Sequence, residues 1–163
     1  MQSTLIVHER LARWTRRLRL RADGWGARLV ESRSVDDLAA AAVTACPVVL
    51  IDPSSSPREA FEALITVQRI SSQALVLVFA DAMPSDFLGA AREAGATLIL
   101  PSTSPLPVVF NLIRRWLDLA RQRSQADGWA ADRCVDPDPW EALMRDDGPD
   151  SLTAIRQRTA TAL

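Results

Sequence analysis

Residues 46–57 read CPVVLIDPSSSP. Val48, Val49, Leu50 and Ile51 form an unbroken apolar run without polar alternation. That pattern belongs to a strand covered on both faces, as at the centre of a parallel sheet. Asp52-Pro53 ends the run, Ser54 to Ser56 make a polar loop, and Pro57 suits the first position of a helix. The same alternation extends to both sides. TLIV (4–7), ARLVE (27–31), ALVLVF (74–79) and TLIL (97–100) are the other strand-like runs. Helix-like segments follow each of them. Leu11, Trp14 and Leu18 recur at helical spacing within 9–21, and Asp23-Gly24 stops that segment. Ser34 is a natural N-cap with Asp36 and Asp37 in the first turn, where the helix dipole favours acids, and this Ala-rich helix ends near Ala45.

Phe61, Leu64, Ile65 and Gln68 share a face of the third helix. The fourth carries Phe87, Leu88 and Ala91 and is closed by Gly95. The fifth carries a wide stripe through Val108, Val109, Leu112, Ile113, Trp116, Leu117 and Ala120. Five strands alternating with five helices over about 120 residues predict an α/β fold, a doubly wound five-stranded parallel sheet of (β/α)5 type between two helical layers. The domain is expected over 1–123. Residues 124–163 read as an acidic C-terminal tail or partner-binding extension, with short helical turns near Trp140 and over 151–160.

Composition narrows the chemistry. All 19 basic residues are Arg; the chain has no Lys, no Tyr, and a single His, His8. A phosphate loop of the GxxxxGK[ST] type, a Schiff-base lysine and a lysine general base are therefore excluded. GWGARL at 24–29 lacks the third glycine of a dinucleotide fingerprint and precedes a strand instead of following one. No nucleophile–base pair stands out, so the chain is not expected to be an enzyme. Cys46 and Cys134 have no CxxC or His-rich surroundings, which argues against zinc and for independent thiols. Apolar runs are too short to span a bilayer, and the N-terminus does not read as a secretory signal, so a cytoplasmic location is expected. The net charge of −1 is unevenly spread: +5 over 1–33, −2 over 34–123 and −4 over 124–163.

Ligands of open parallel sheets gather at the carboxyl ends of the strands. There the sequence places His8 and Glu9, then Asp52, then Ala80, Asp81 and Ala82, then Pro101, Ser102 and Thr103. This order, with LIVHE (5–9), CPVVLIDPSSSP (46–57), LVLVFADA (75–82) and EAGATLILP (93–101), resembles the receiver domain of two-component response regulators, the CheY-like, flavodoxin-like family. The resemblance covers about 1–123. It implies a phospho-acceptor at Asp52, a Mg²⁺-binding acidic pair at His8-Glu9, a hydroxyl switch at Phe79, and a phosphate-contacting Lys at Ser102-Thr103. Three of these positions depart from the family pattern. Each lost charged hydrogen bond costs roughly 1.5–3 kcal/mol. Two or three such losses imply phosphorylation slowed by orders of magnitude.

The expected protein is thus a degenerate (pseudo-) receiver with no catalytic residues, a vestigial acceptor at Asp52 and a degenerate pocket of His8, Glu9, Phe79 and Ser102. No cofactor is expected beyond weak Mg²⁺ at Glu9 and Asp52. It would act through protein partners, including a homodimer across the face from the fourth to the fifth helix. Arg114, Arg115, Asp118 and Arg121 would supply contacts there, with Trp140 in the tail. The alternatives are an atypical single-domain regulator phosphorylated at Asp52, and nucleic-acid binding through the Arg-rich first helix. The near-neutral total and the lack of a DNA-binding motif disfavour the latter.

Overall fold

The structure, a computed structural model, describes residues 2–44, 46–81 and 85–133, with side chains to residue 126. The chain divides into two units, Met1–Ala126 and Asp127–Leu163; the first carries the sheet. Its strands are β1 (Ser3–His8), β2 (Ala27–Ser32), β3 (Val48–Ile51), β4 (Leu75–Phe79) and β5 (Leu98–Leu100). The helices are α1 (Arg13–Ala22), α2 (Val35–Ala42), α3 (Pro57–Ile70), α4 (Ser85–Glu93) and α5 (Leu106–Arg133). The strand order is β2-β1-β3-β4-β5 and every pairing is parallel. The doubly wound fold is as the alternation predicts.

Period-two geometry splits the apolar strands between two cores. Leu5, Val7, Leu50, Leu77 and Phe79 face Trp14 and Leu18 of α1 and Val109, Ile113 and Leu117 of α5. Ile6, Val49, Ile51, Val76 and Val78 face Leu38 of α2, Ala60, Ala63, Leu64 and Val67 of α3, and Ala91 of α4. Each fully buried Val, Leu, Ile or Phe contributes roughly 1.5–3 kcal/mol relative to exposure, so the central strands supply much of the driving force. Caps fall where expected. The Ser34 hydroxyl accepts from the Asp37 N–H, and Ser56 accepts from the Glu59 N–H with Pro57 opening α3. Gly95 takes φ +104° after α4, a left-handed turn in which a Cβ would run into the Gln68 side chain.

Three helical faces differ from the sequence pattern. Leu11 does not join Trp14 and Leu18 in the core; it is 71% exposed, because α1 begins only at Arg13. On α3 the sheet-facing side is Ala60, Ala63, Leu64 and Val67, while Ile65 is exposed. Small alanines let the helix approach the sheet closely, and that turns the larger Phe61–Ile65 edge outward. Val108 is likewise exposed on α5, whose buried line runs through Val109, Ile113, Leu117 and Ala120. Trp25, in a polar setting in the sequence, packs edge-on against Phe110 at 6.0 Å. Cys46 is buried, its thiol donating to the Gln73 carbonyl. Trp140, Cys134 and the short turns of the tail lie outside the described residues, and the side chain of Trp129 is not described.

Candidate functional site

The strand order reverses between β1 and β3, and in such sheets the crevice for a ligand opens at that point, beyond the carboxyl ends. The Asp52 N–H donates to the His8 carbonyl at 3.0 Å and the Glu9 N–H donates to the Ser32 carbonyl at 3.2 Å. These bonds carry both ladders one step past the strands. They bring His8, Glu9 and Asp52 together, as their sequence positions predict.

The side chains are already engaged. Glu9 is buried and faces the amino end of α1, where Ala12, the residue at the cap position, has no capping side chain. One Glu9 oxygen accepts from the Arg13 and Trp14 N–H groups at 3.0 and 2.9 Å; the other accepts from the Thr15 N–H at 2.7 Å. A helix start leaves its first N–H groups without partners inside the helix, and the dipole there favours negative charge. Glu9 meets both needs from outside the helix.

Asp52 is partly exposed and bends back on its own loop. Its Oδ1 accepts from the Ser54 N–H at 3.0 Å and from the Ser54 hydroxyl at 2.5 Å, an Asx turn leading to α3. Across the cleft, Arg10 donates twice to one oxygen of Glu59, at 3.0 and 2.6 Å. His8, Glu9, Arg10, Asp52, Ser55, Ser56 and Glu59 line a half-open notch of about 10 Å³, room for about one water.

His8 disfavours its charged form. Burial lowers its pKa below the ordinary 6.5, against the opposing pull of Glu59. The Ser32 hydroxyl gives its one proton to the Ser34 carbonyl at 2.9 Å, so it accepts from His8 Nδ1–H at 3.1 Å. The ring is thereby anchored as a strand-end residue.

The β4–β5 side is also closed. Phe79 is buried and stacks on Trp14, centroids 3.9 Å apart and planes 4° from parallel. Ser102 is buried and bound to Asp81 twice: its N–H donates to Oδ1 at 2.6 Å and its hydroxyl donates to Oδ2. Arg13 Nη2 donates to the Ser102 hydroxyl at 3.3 Å. Arg10, Arg13, Glu59 and the bonding role of Asp81 were not singled out in the sequence. The usable signal was the excess of Arg just after β1, which had to meet the acids that follow the strands.

Both Glu9 oxygens accept from backbone N–H groups at the amino end of α1, so a metal there would share that carboxylate with the cap. Among the described residues no group of three His, Cys, Asp or Glu is placed to hold a metal.

On the expected partner face, Arg114 and Arg115 are exposed. Asp118 and Arg121 pair with each other at 2.6 Å, and Arg121 also donates to the Trp25 and Gly26 carbonyls. Arg121 thus ties α5 to the turn after α1. Among the described residues no helix is long and apolar enough to cross a membrane.

No family model and no curated protein matches the chain. Solved structures do. A CheY-like response regulator receiver domain protein from Methanospirillum hungatei JF-1 matches with TM-score 0.64 and 10% identity, over 75% of this chain and 98% of that one. A response regulator from Thermotoga maritima matches with TM-score 0.60 and 11% identity, over 72% and 99%. One from Burkholderia pseudomallei, solved with a phosphorylated aspartic acid, calcium ion and citrate, matches with TM-score 0.57 and 13% identity, over 88% and 83%. The fold of this chain is that of the response regulator receiver domains.

Proposed function

We propose that this chain is a non-enzymatic regulatory module of signal transduction, a pseudo-receiver that works through protein–protein contacts independently of phosphorylation at Asp52. One observation carries the reading: the Glu9 carboxylate is built into α1 as its cap. A phosphoryl group brings a charge of about −2, and its transfer depends on positioning and on cationic neutralisation. Here Arg10 is paired with Glu59, Arg13 bonds the Ser102 hydroxyl, and the chain has no Lys. Weak Mg²⁺ at Glu9 and Asp52 would come at the expense of the helix cap. Phe79, locked against Trp14, offers no hydroxyl to sense a phosphate. Residues 124–163 are assigned to partner binding in this reading.

The test is incubation with acetyl phosphate and Mg²⁺, followed by intact-mass measurement of the wild type and of Asp52→Asn. No phosphoryl adduct on the wild type is expected. A stoichiometric adduct that vanishes in Asp52→Asn would establish the alternative, an atypical regulator phosphorylated at Asp52.

A further inference from the structure

We propose that the cavity between α1 and the edge strand β2 is a binding site for a small zwitterion of the α-amino-acid type, a molecule that carries an ammonium and a carboxylate side by side. The site goes beyond the protein-contact reading and stands apart from Asp52.

Strand β2 is the outermost strand on its side of the sheet. Between it and α1 lies a half-open cavity of about 360 Å³, within the range of about 300–1,000 Å³ usual for small-molecule sites. Thr15 and Arg19 of α1, Asp23 of the turn that follows, and Arg28, Leu29 and Glu31 of β2 line it. His8, Glu9 and Asp52 are not among its walls.

One pointer to a ligand is Thr15. The residue is 1% exposed, and its hydroxyl has no hydrogen-bond partner among the described residues. Buried hydroxyls are ordinarily bonded, because an unpaired one has lost water and gained nothing in return. The Thr15 N–H donates to Glu9 at 2.7 Å. The backbone of Thr15 is therefore pinned, and a partner for the hydroxyl has to come to it.

The second pointer is the state of the charges. Arg28 and Asp23 are exposed and form no ion pair among the described residues. Arg19 meets Glu31 only at 3.9 Å, through Oε2, while Arg33 holds the other Glu31 oxygen at 2.8 Å. Two guanidinium groups and two carboxylates thus share one hollow without closely neutralising each other. An anion alone would gain the arginines and meet the repulsion of Asp23 and Glu31; a cation alone would meet the reverse. A dipolar molecule gains from both. Its carboxylate suits the guanidinium fork, and its ammonium donates to carboxylates. The Thr15 hydroxyl can donate to the one or accept from the other. The same mixture of signs disfavours a phosphate backbone, which needs cations throughout.

The experiment titrates the full chain, ¹⁵N-labelled, with L-serine, L-leucine and L-glutamine to millimolar concentration and follows backbone amide shifts. Each amino acid is compared with the amine that lacks its carboxylate and with the acid that lacks its ammonium. Saturable shifts are expected at Thr15, Arg19, Asp23 and Arg28 to Glu31, with at least one amino acid bound about tenfold more tightly than both of its single-charge counterparts. Arg28→Gln and Asp23→Asn, at exposed positions, should each weaken that binding about tenfold. Thr15→Val exchanges an unpartnered hydroxyl for a methyl of similar shape. It should melt no lower than the wild type yet bind about fivefold more weakly. A purely structural Thr15 would leave the affinity unmoved. No saturable shift with any of the three amino acids, shifts confined to residues outside the cavity, equal binding of the amine or acid counterparts, or undiminished binding by Thr15→Val would overturn the site.

Discussion

The interior of the sheet and its carboxyl edge are made from opposite materials. Inside, β3 and β4 are unbroken Val, Leu, Ile and Phe, packed on both faces. At the edge, the polar side chains beside those strands are bonded mostly to one another and to nearby backbone. Glu9 caps α1, Asp52 closes its own turn, Asp81 holds Ser102, and Glu59 holds Arg10. The difference teaches that one sheet is held by two kinds of interaction, apolar burial inside and directed polar bonds at its edge. Apolar burial is non-directional and tolerates much exchange among Val, Ile and Leu. A phosphoryl site needs particular charges at particular points, and in the proposed reading those points serve caps and turns instead.

If the interior carries stability, its removal should have the largest effect. Trp14→Ala should cost about 3–5 kcal/mol in urea unfolding, because it empties a fully buried site and removes the stack on Phe79. At the edge, Glu9→Ala should cost about 1–3 kcal/mol, since the Trp14 and Thr15 N–H groups lose their acceptor and the Arg13 N–H keeps only the Leu11 carbonyl. Glu9→Gln, which keeps one carbonyl oxygen, should fall between it and the wild type. A Glu9→Ala variant as stable as the wild type would dissolve the contrast, leaving that carboxylate free for other work.

A smaller effect is expected from His8. Burial places its folded pKa below 6.5, so between the two values the unfolded chain binds the extra proton. Stability from this group is complete above pH 6.5 and falls as pH drops toward the folded value. Urea midpoints at decreasing pH should show that loss in the wild type and a smaller one in His8→Gln. Smallest of all, Asp52→Asn should change stability by less than about 0.5 kcal/mol, because the amide oxygen can still accept from Ser54.

How far the sequence is legible follows the same division. The strands and their order of burial were readable because a parallel sheet requires continuous apolar runs and helices between them. Ser34, Pro57 and Gly95 could be assigned because caps and left-handed turns are local. The helical faces were less readable. The start of α1 depends on Glu9 reaching forward to residues 13–15, so Leu11 could not be placed from its spacing alone. At the site, the positions of His8, Glu9, Asp52, Phe79 and Ser102 were readable as strand ends. Their bonds were not. Arg13 meets Ser102 across 89 residues and Arg10 meets Glu59 across 49, and only the fold brings such pairs together.

The most direct test of the central claim is titration of beryllofluoride with Mg²⁺, a mimic of the phosphorylated aspartate, followed through backbone amide NMR shifts. The account predicts no saturable change at Asp52, Phe79, Ser102 or along α4, at concentrations that leave the fold intact. Saturable shifts at those residues, absent in Asp52→Asn, would contradict it.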